Sequence, residues 1–92
     1  MEKNKVIITV LGKDTVGIIA KVCTYLAENN INIIDISQTI TGGYFNMMMV
    51  AEADLQGQEY LRVSGELSAL GSNMGLQIQT QNADIFNMMH RI

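Results

Sequence analysis

Few side chains in this sequence could do chemistry, and their spacing narrows the field. Cys23 and His90 are each the only residue of their kind among 92. A lone thiol excludes an internal disulfide or a cysteine-built zinc site. Cys23 also stands in an apolar stripe, where a thiol is expected to be buried and inert. A lone histidine cannot make a catalytic pair, and as a metal ligand it would need a second protomer. Met47, Met48 and Met49 are adjacent; the first reading of such a run is core and interface filling, the second a soft-metal site. The nine acidic residues are scattered, with no close pair suited to general acid–base work. The sequence therefore offers no catalytic residue, no metal site and no cofactor site.

The stretch Gly12-Lys13-Asp14-Thr15-Val16-Gly17 is different. It joins a strand-like segment to a helical one. A helix N-terminus presents unpaired N–H groups and the positive end of the helix dipole, a place for an anion or a carboxylate. Gly12 is expected to permit a tight turn out of the strand. Gly17, placed in the first helical turn, would let a ligand approach the backbone, and Lys13 adds positive charge. Asn32, expected across the same end of the sheet, carries an amide that both donates and accepts, which suits a ligand bearing an ammonium and a carboxylate. The same residues have a purely structural reading, in which Asp14 caps, Gly17 packs and Asn32 makes a turn. Spacing alone does not choose between the two.

The elements that must position these residues are legible in the pattern. Val6-Ile7-Ile8-Thr9-Val10-Leu11 is a β-branched run stopped by Gly12, a strand signal. Ile19, Val22, Cys23 and Leu26 then fall at i, i+3, i+4 and i+7, the stripe of an amphipathic helix. Asp14 or Thr15 is its expected N-cap, and Asn29-Asn30 its end. Residues 31–41 read as a second strand, with Ile34, Ile36 and Ile40 on one face and Asp35, Ser37 and Thr39 on the other. Gly42-Gly43 is a hairpin signal, and residues 44–53 return as a third strand. Tyr60, Val63, Leu67, Leu70 and Met74 form the seam of a second helix, closed by Gly75. Leu76 to Gln81 alternates as a fourth strand, and residues 82–92 read as a short C-terminal helix capped by Asn82 and lined by Ile85, Met89 and Ile92.

The order βαββαβ with right-handed crossovers makes an α+β, ferredoxin-like sandwich. The expected sheet is four-stranded and antiparallel, in the order 4-1-3-2, with both helices on one face. Its expected core is Ile8, Val10, Ile19, Val22, Cys23, Leu26, Ile34, Ile36, Val63, Leu67, Leu70 and Ile78. The opposite face carries Asp35, Ser37, Thr39, Gln77 and Gln79. It is too polar for a second core layer and is expected to be wet or to meet another protomer.

Composition sets the outer limits. A chain this short makes one domain, read as residues 1–92 with its core in 5–81. The net charge is −3, whereas a nucleic-acid binder needs a basic face. An RNA-recognition sheet also needs aromatics on its central strands, and the first strand has none. A heavy-metal carrier of this architecture would need two cysteines in the first loop. An acylphosphatase-like enzyme would need an arginine there, and the first arginine is Arg62. The longest apolar runs are five or six residues, against the roughly 20 of a membrane span. No signal peptide reads at the N-terminus, so a cytoplasmic location is expected. Charged residues are 16% of the chain, below the roughly 25% usual for soluble domains, so part of the surface is expected to pack against a partner.

The stretch Leu11-Gly12-Lys13-Asp14-Thr15-Val16-Gly17-Ile18-Ile19-Ala20-Lys21-Val22, followed by Leu26-Ala27 and by Asn30-Ile31-Asn32-Ile33, closely resembles the ACT domain. The resemblance covers residues 5–81. Residues 82–92 resemble the C-terminus of stand-alone ACT proteins of bacteria and archaea, and related ACT halves occur in a glycine-cleavage repressor and in formyltetrahydrofolate deformylase. The resemblance implies a regulatory βαββαβ module that senses an amino acid at a dimer interface. Residue by residue, Gly12, Asp14, Val16, Gly17 and Ile18 match the family's first loop, with Lys13 beside them, and Asn32 and Ile33 match the start of its second strand. Many family members carry proline just before the second glycine. Val16 stands there in this chain, which has no proline, and that leaves the loop less pre-organised. The expectation is a non-catalytic, homodimeric, amino-acid-binding module of the cytoplasm. A metabolic enzyme is a further implied partner. A second reading drops the ligand and keeps an interaction subunit that docks onto such an enzyme.

Overall fold

Alternation along the first strand decides which way the sheet faces. In β1 (Asn4–Lys13), Val6, Ile8 and Val10 are buried on one side, while Lys5, Leu11 and Lys13 are exposed on the other. The structure, a computed structural model, describes residues 4–13 and 16–83. After β1 come α1 (Ile18–Glu28), β2 (Asn32–Thr41), β3 (Tyr44–Ala53), α2 (Gln58–Asn73) and β4 (Leu76–Asn82). Asn82 ends β4 and stands directly before the helical residue Ala83; the rest of the expected C-terminal helix lies outside the described residues.

The sheet order is β2-β3-β1-β4 with every neighbouring pair antiparallel, the expected 4-1-3-2 order read from the other edge. Buried residues of β1, β3 and β4 join Ile18, Val22 and Leu26 of α1 and Val63 and Leu67 of α2 in one cluster, so both helices cover the same face. All twelve residues of the expected core lie on described elements. Ile8, Val10, Val22, Leu26, Val63, Leu67 and Ile78 are buried, and Leu70 packs against the cluster half-buried.

The other core expectations fail for local reasons. Ile19 is 40% exposed and Ile18 takes its place at 2%, because α1 begins at Ile18 and buries the 18, 22, 26 row. Cys23 is consequently turned to the flank and only half-buried. In β2 a bulge lies between Ile33 and Asp35. The extra residue, Ile34, stands out of the alternation at 48% exposure, and Ile33 takes the helix-side place opposite Ala51. A bulge of this kind re-aims every side chain before it. Ile36 keeps the helix side opposite Met49, yet β2 is an edge strand that the helices barely reach, and Ile36 remains 42% exposed.

Candidate functional site

The first loop is built differently from the sequence expectation. Gly12 is not a turn residue; it lies inside β1, opposite Phe45 on β3 and Leu76 on β4. A Cβ there would stand 2.6 Å from Leu76 Cδ2 and 3.2 Å from the Gly75 carbonyl oxygen. Gly12 therefore lets β4 begin close against β1. Lys13 ends the strand, exposed, opposite Tyr44. Asp14 and Thr15, expected to cap the helix, lie outside the described residues. Val16 is 98% exposed.

Gly17 is the N-cap of α1 rather than a residue of its first turn, with φ 89° and ψ 5°. That left-handed backbone is open to glycine and costly for most L residues. A Cβ added there would meet nothing within 4 Å. The first helical bond runs from the Lys21 N–H to the Gly17 carbonyl at 3.0 Å. The N–H groups of Ile18, Ile19 and Ala20 thus have no partner within the helix, and Gly17 has no side chain with which to cap them. Ile18 turns its side chain into the core, so it can offer a ligand only its backbone. This end can hold an anion on backbone donors, with Lys13 nearby.

Asn32 and Ile33 are not part of that end. β1 and β2 are each antiparallel to β3, so they run in the same direction. Asn32 pairs with Glu52, which pairs with Lys5; Thr41 pairs with Tyr44, which pairs with Lys13. Asn32 therefore lies eight residues down the sheet from the Lys13 level, roughly 26 Å at the rise of a strand. Within one chain the residues expected to share a pocket sit at opposite ends. The cause is elementary: α1 carries the chain back along the sheet, so the strand that follows it must begin where β1 began. That signal was present in the element order alone.

At its far end α1 closes without glycine. Asn30 adopts φ 58°, the Ile31 N–H reaches the Leu26 carbonyl at 2.9 Å and the Asn30 N–H reaches Ala27 at 3.2 Å. This is the paired bonding of a Schellman end, and it aims the chain into β2. Between the helices, the Tyr25 hydroxyl donates to Glu66, and the Arg62 guanidinium donates to Glu66 at 2.9 Å, Glu59 at 3.1 Å and the Asn29 side-chain oxygen at 3.2 Å. Burial, then the Glu66 hydrogen bond and charge, push the Tyr25 phenol up to about 12, while Arg62 lowers the Glu59 carboxyl. These contacts clamp the two helices together. Beside them a shallow groove of about 330 Å³ is lined by Ala20, Lys21, Thr24, Tyr25, Glu28 and Leu70.

Among the described residues no three His, Cys, Asp or Glu side chains gather as a metal site would require, and no helix is long and apolar enough to cross a membrane. His90 lies outside the described residues. The feature that sequence reasoning missed is the free edge of β2: every residue of that strand except Ile33 is exposed, and Asp35 is its only charge.

A family model described as the ACT domain matches residues 4–81. A UPF0237 protein of Bifidobacterium longum is 53% identical over 89 residues, covering 97% of this chain and 99% of that one. Among solved structures, an ACT domain protein from Streptococcus pneumoniae is 43% identical with a TM-score of 0.80, covering 90% of this chain and 93% of that one. A structure named for a glycine cleavage system transcriptional repressor is 25% identical with a TM-score of 0.76; the match covers 87% of this chain and 46% of the other.

Proposed function

The chain belongs to the ACT domain family, whose members are regulatory small-molecule-binding modules, and on that premise we propose that it is a non-catalytic amino-acid sensor of the cytoplasm that works as a homodimer. Its site is shared. The first loop of one copy, with Gly12 as support and Lys13, Asp14, Val16, Gly17 and the Ile18 backbone around the opening, faces Asn32 and Ile33 of the other copy.

One observation carries this reading: the first loop and Asn32 lie at opposite ends of one sheet, and the strand that begins at Asn32 has a free edge. Two copies of β2 paired about a two-fold axis run antiparallel. The Asn32 end of each then lies beside the Thr41 end of the other, which is the level of Lys13. The edge has the chemistry for such pairing. It carries no lysine and no proline, the devices that keep an edge from adding a strand. Ile36 and Ile40 on β2 and Ile19 on the α1 flank away from α2 are 42%, 58% and 40% exposed. An edge-to-edge dimer would cover them.

In the completed site the N–H groups at the start of α1 receive the ligand carboxylate, and the Asn32 amide of the second copy bonds its polar remainder. Calorimetry against each proteinogenic amino acid, with nucleotides and folates as controls, tests the reading. Binding of an amino acid, lost in Gly17→Asn with the fold retained, is the expected result. Asparagine tolerates the left-handed backbone and sets an amide over the donors the ligand needs. If no amino acid binds, the reading passes to an interaction subunit docking onto a metabolic enzyme.

A further inference from the structure

The sheet face away from the helices is open, and its side chains fall into an ordered array. In the two central rows, Gln79, Thr9, Met48 and Ser37 lie side by side, as do Gln77, Leu11, Asn46 and Thr39. None of these eight is charged. Leu11 is 50% and Met48 43% exposed, and Tyr44 in the next row is 55% exposed. A dimple of about 180 Å³ lies between β2 and β3 beside Met48. The charges stand at the ends: Lys13 at one, Lys5, Glu52 and Asp35 at the other.

We propose that this face is a second self-association surface, through which two edge-paired dimers stack sheet on sheet into a tetramer. The occupant is another copy of this chain for three reasons. First, the uncharged middle can meet its own image without like-charge repulsion, and its mixture of apolar anchors and amides is the composition of a non-obligate interface. Second, the charge layout favours self-stacking: copies stacked with strands running oppositely bring the Lys13 end of one over the end of the other where Glu52 and Asp35 outnumber Lys5. Third, the size is right. Four strands about 4.8 Å apart and up to ten residues long present on the order of 600 Å² in projection. A standard interface takes about 800 Å² of accessible surface per partner, which a corrugated sheet of that footprint can supply at the usual packing distance of about 10 Å. This surface uses the outward side chains of β2, whereas the edge pairing on which the proposed function rests uses that strand's backbone and the helix-side Ile36 and Ile40.

Light scattering on the whole chain and two surface variants tests it, with circular dichroism confirming that each variant folds. Met48→Lys charges the open face; Ile36→Lys and Ile40→Lys together charge the edge. The wild type is expected at the mass of four chains, each variant at two, and the combined variant at one. A wild type at two chains that falls to one with the edge substitutions and is unmoved by Met48→Lys overturns the open-face proposal and leaves the edge dimer standing. A mass unmoved by the edge substitutions but halved by Met48→Lys supports the open face and overturns the edge dimer.

Discussion

Gly12 and Gly17 bracket the first loop, and the structure gives them separate tasks that one substitution can tell apart. Replacing Gly12 with alanine adds a Cβ 2.6 Å from Leu76 Cδ2 and 3.2 Å from both the Gly75 carbonyl oxygen and Leu76 Cα. The leucine methyl can swing aside; the backbone of the turn before β4 cannot do so without breaking the register with β1. Overpacking of this kind costs about 1–3 kcal/mol, and the backbone contacts place Gly12→Ala in that range. Urea unfolding of the wild type, Gly12→Ala, Leu76→Ala and the double variant measures it as a cycle. Because part of the clash is with the leucine side chain, the double variant should be more stable than the sum of the single losses predicts, with a coupling above about 0.5 kcal/mol. Amino-acid affinity in Gly12→Ala should survive, since the strand and not the ligand needs this glycine. A loss under about 0.5 kcal/mol, or strict additivity, would refute the packing argument.

Two further predictions concern the helices. The Tyr25 phenol titrates from an ordinary value of 10.0 up to about 12. The stability it gains by staying protonated is full below pH 10 and lost as the pH rises through about 12; a tyrosinate absorbance titration should show one late step among the three tyrosines, absent in Tyr25→Phe, and a single step near pH 10 would contradict it. Leu67 is fully buried between α2 and the sheet, so Leu67→Ala should lower stability by roughly 2–5 kcal/mol in urea melts, and a loss below about 1 kcal/mol would mean that the α2 face is misassigned.

Element order, sheet topology and most of the α2 seam were legible because they rest on period and turn chemistry, which act locally. The start of α1 was less so. Asp14 and Thr15 have good capping side chains, yet the backbone turns left-handed at Gly17 and the helix begins at Ile18, which rotates the buried row by one residue. The β2 bulge at Ile34 had no sequence signal, since Ile31, Ile33, Ile34 and Ile36 are interchangeable in apolar character. The half-exposure of Ile36 follows from its place on an edge strand, a property of the sheet order and not of the residue. For the site, the loop chemistry could be read residue by residue. The separation of the loop from Asn32 was implicit in the element order, since β1 and β2 run in the same direction, but the family motif is silent about which copy supplies each part.

The shared site makes a stoichiometric prediction that a site within one chain cannot meet. A Gly17→Asn chain has no working loop, and an Asn32→Ala chain lacks the amide, a loss of about 1–3 kcal/mol in affinity. Each variant alone should bind its amino acid weakly or not at all. When equal amounts are unfolded, mixed and refolded, half of the dimers pair one variant with the other, and each of these holds one site made of an intact loop and an intact Asn32. Calorimetry on the mixture should therefore recover wild-type affinity at roughly a quarter of the wild-type sites. Mixed dimers that form, as shown by mass spectrometry, and yet recover no tight site would place Gly17 and Asn32 in the same chain's pocket or Asn32 in none, and would contradict the account.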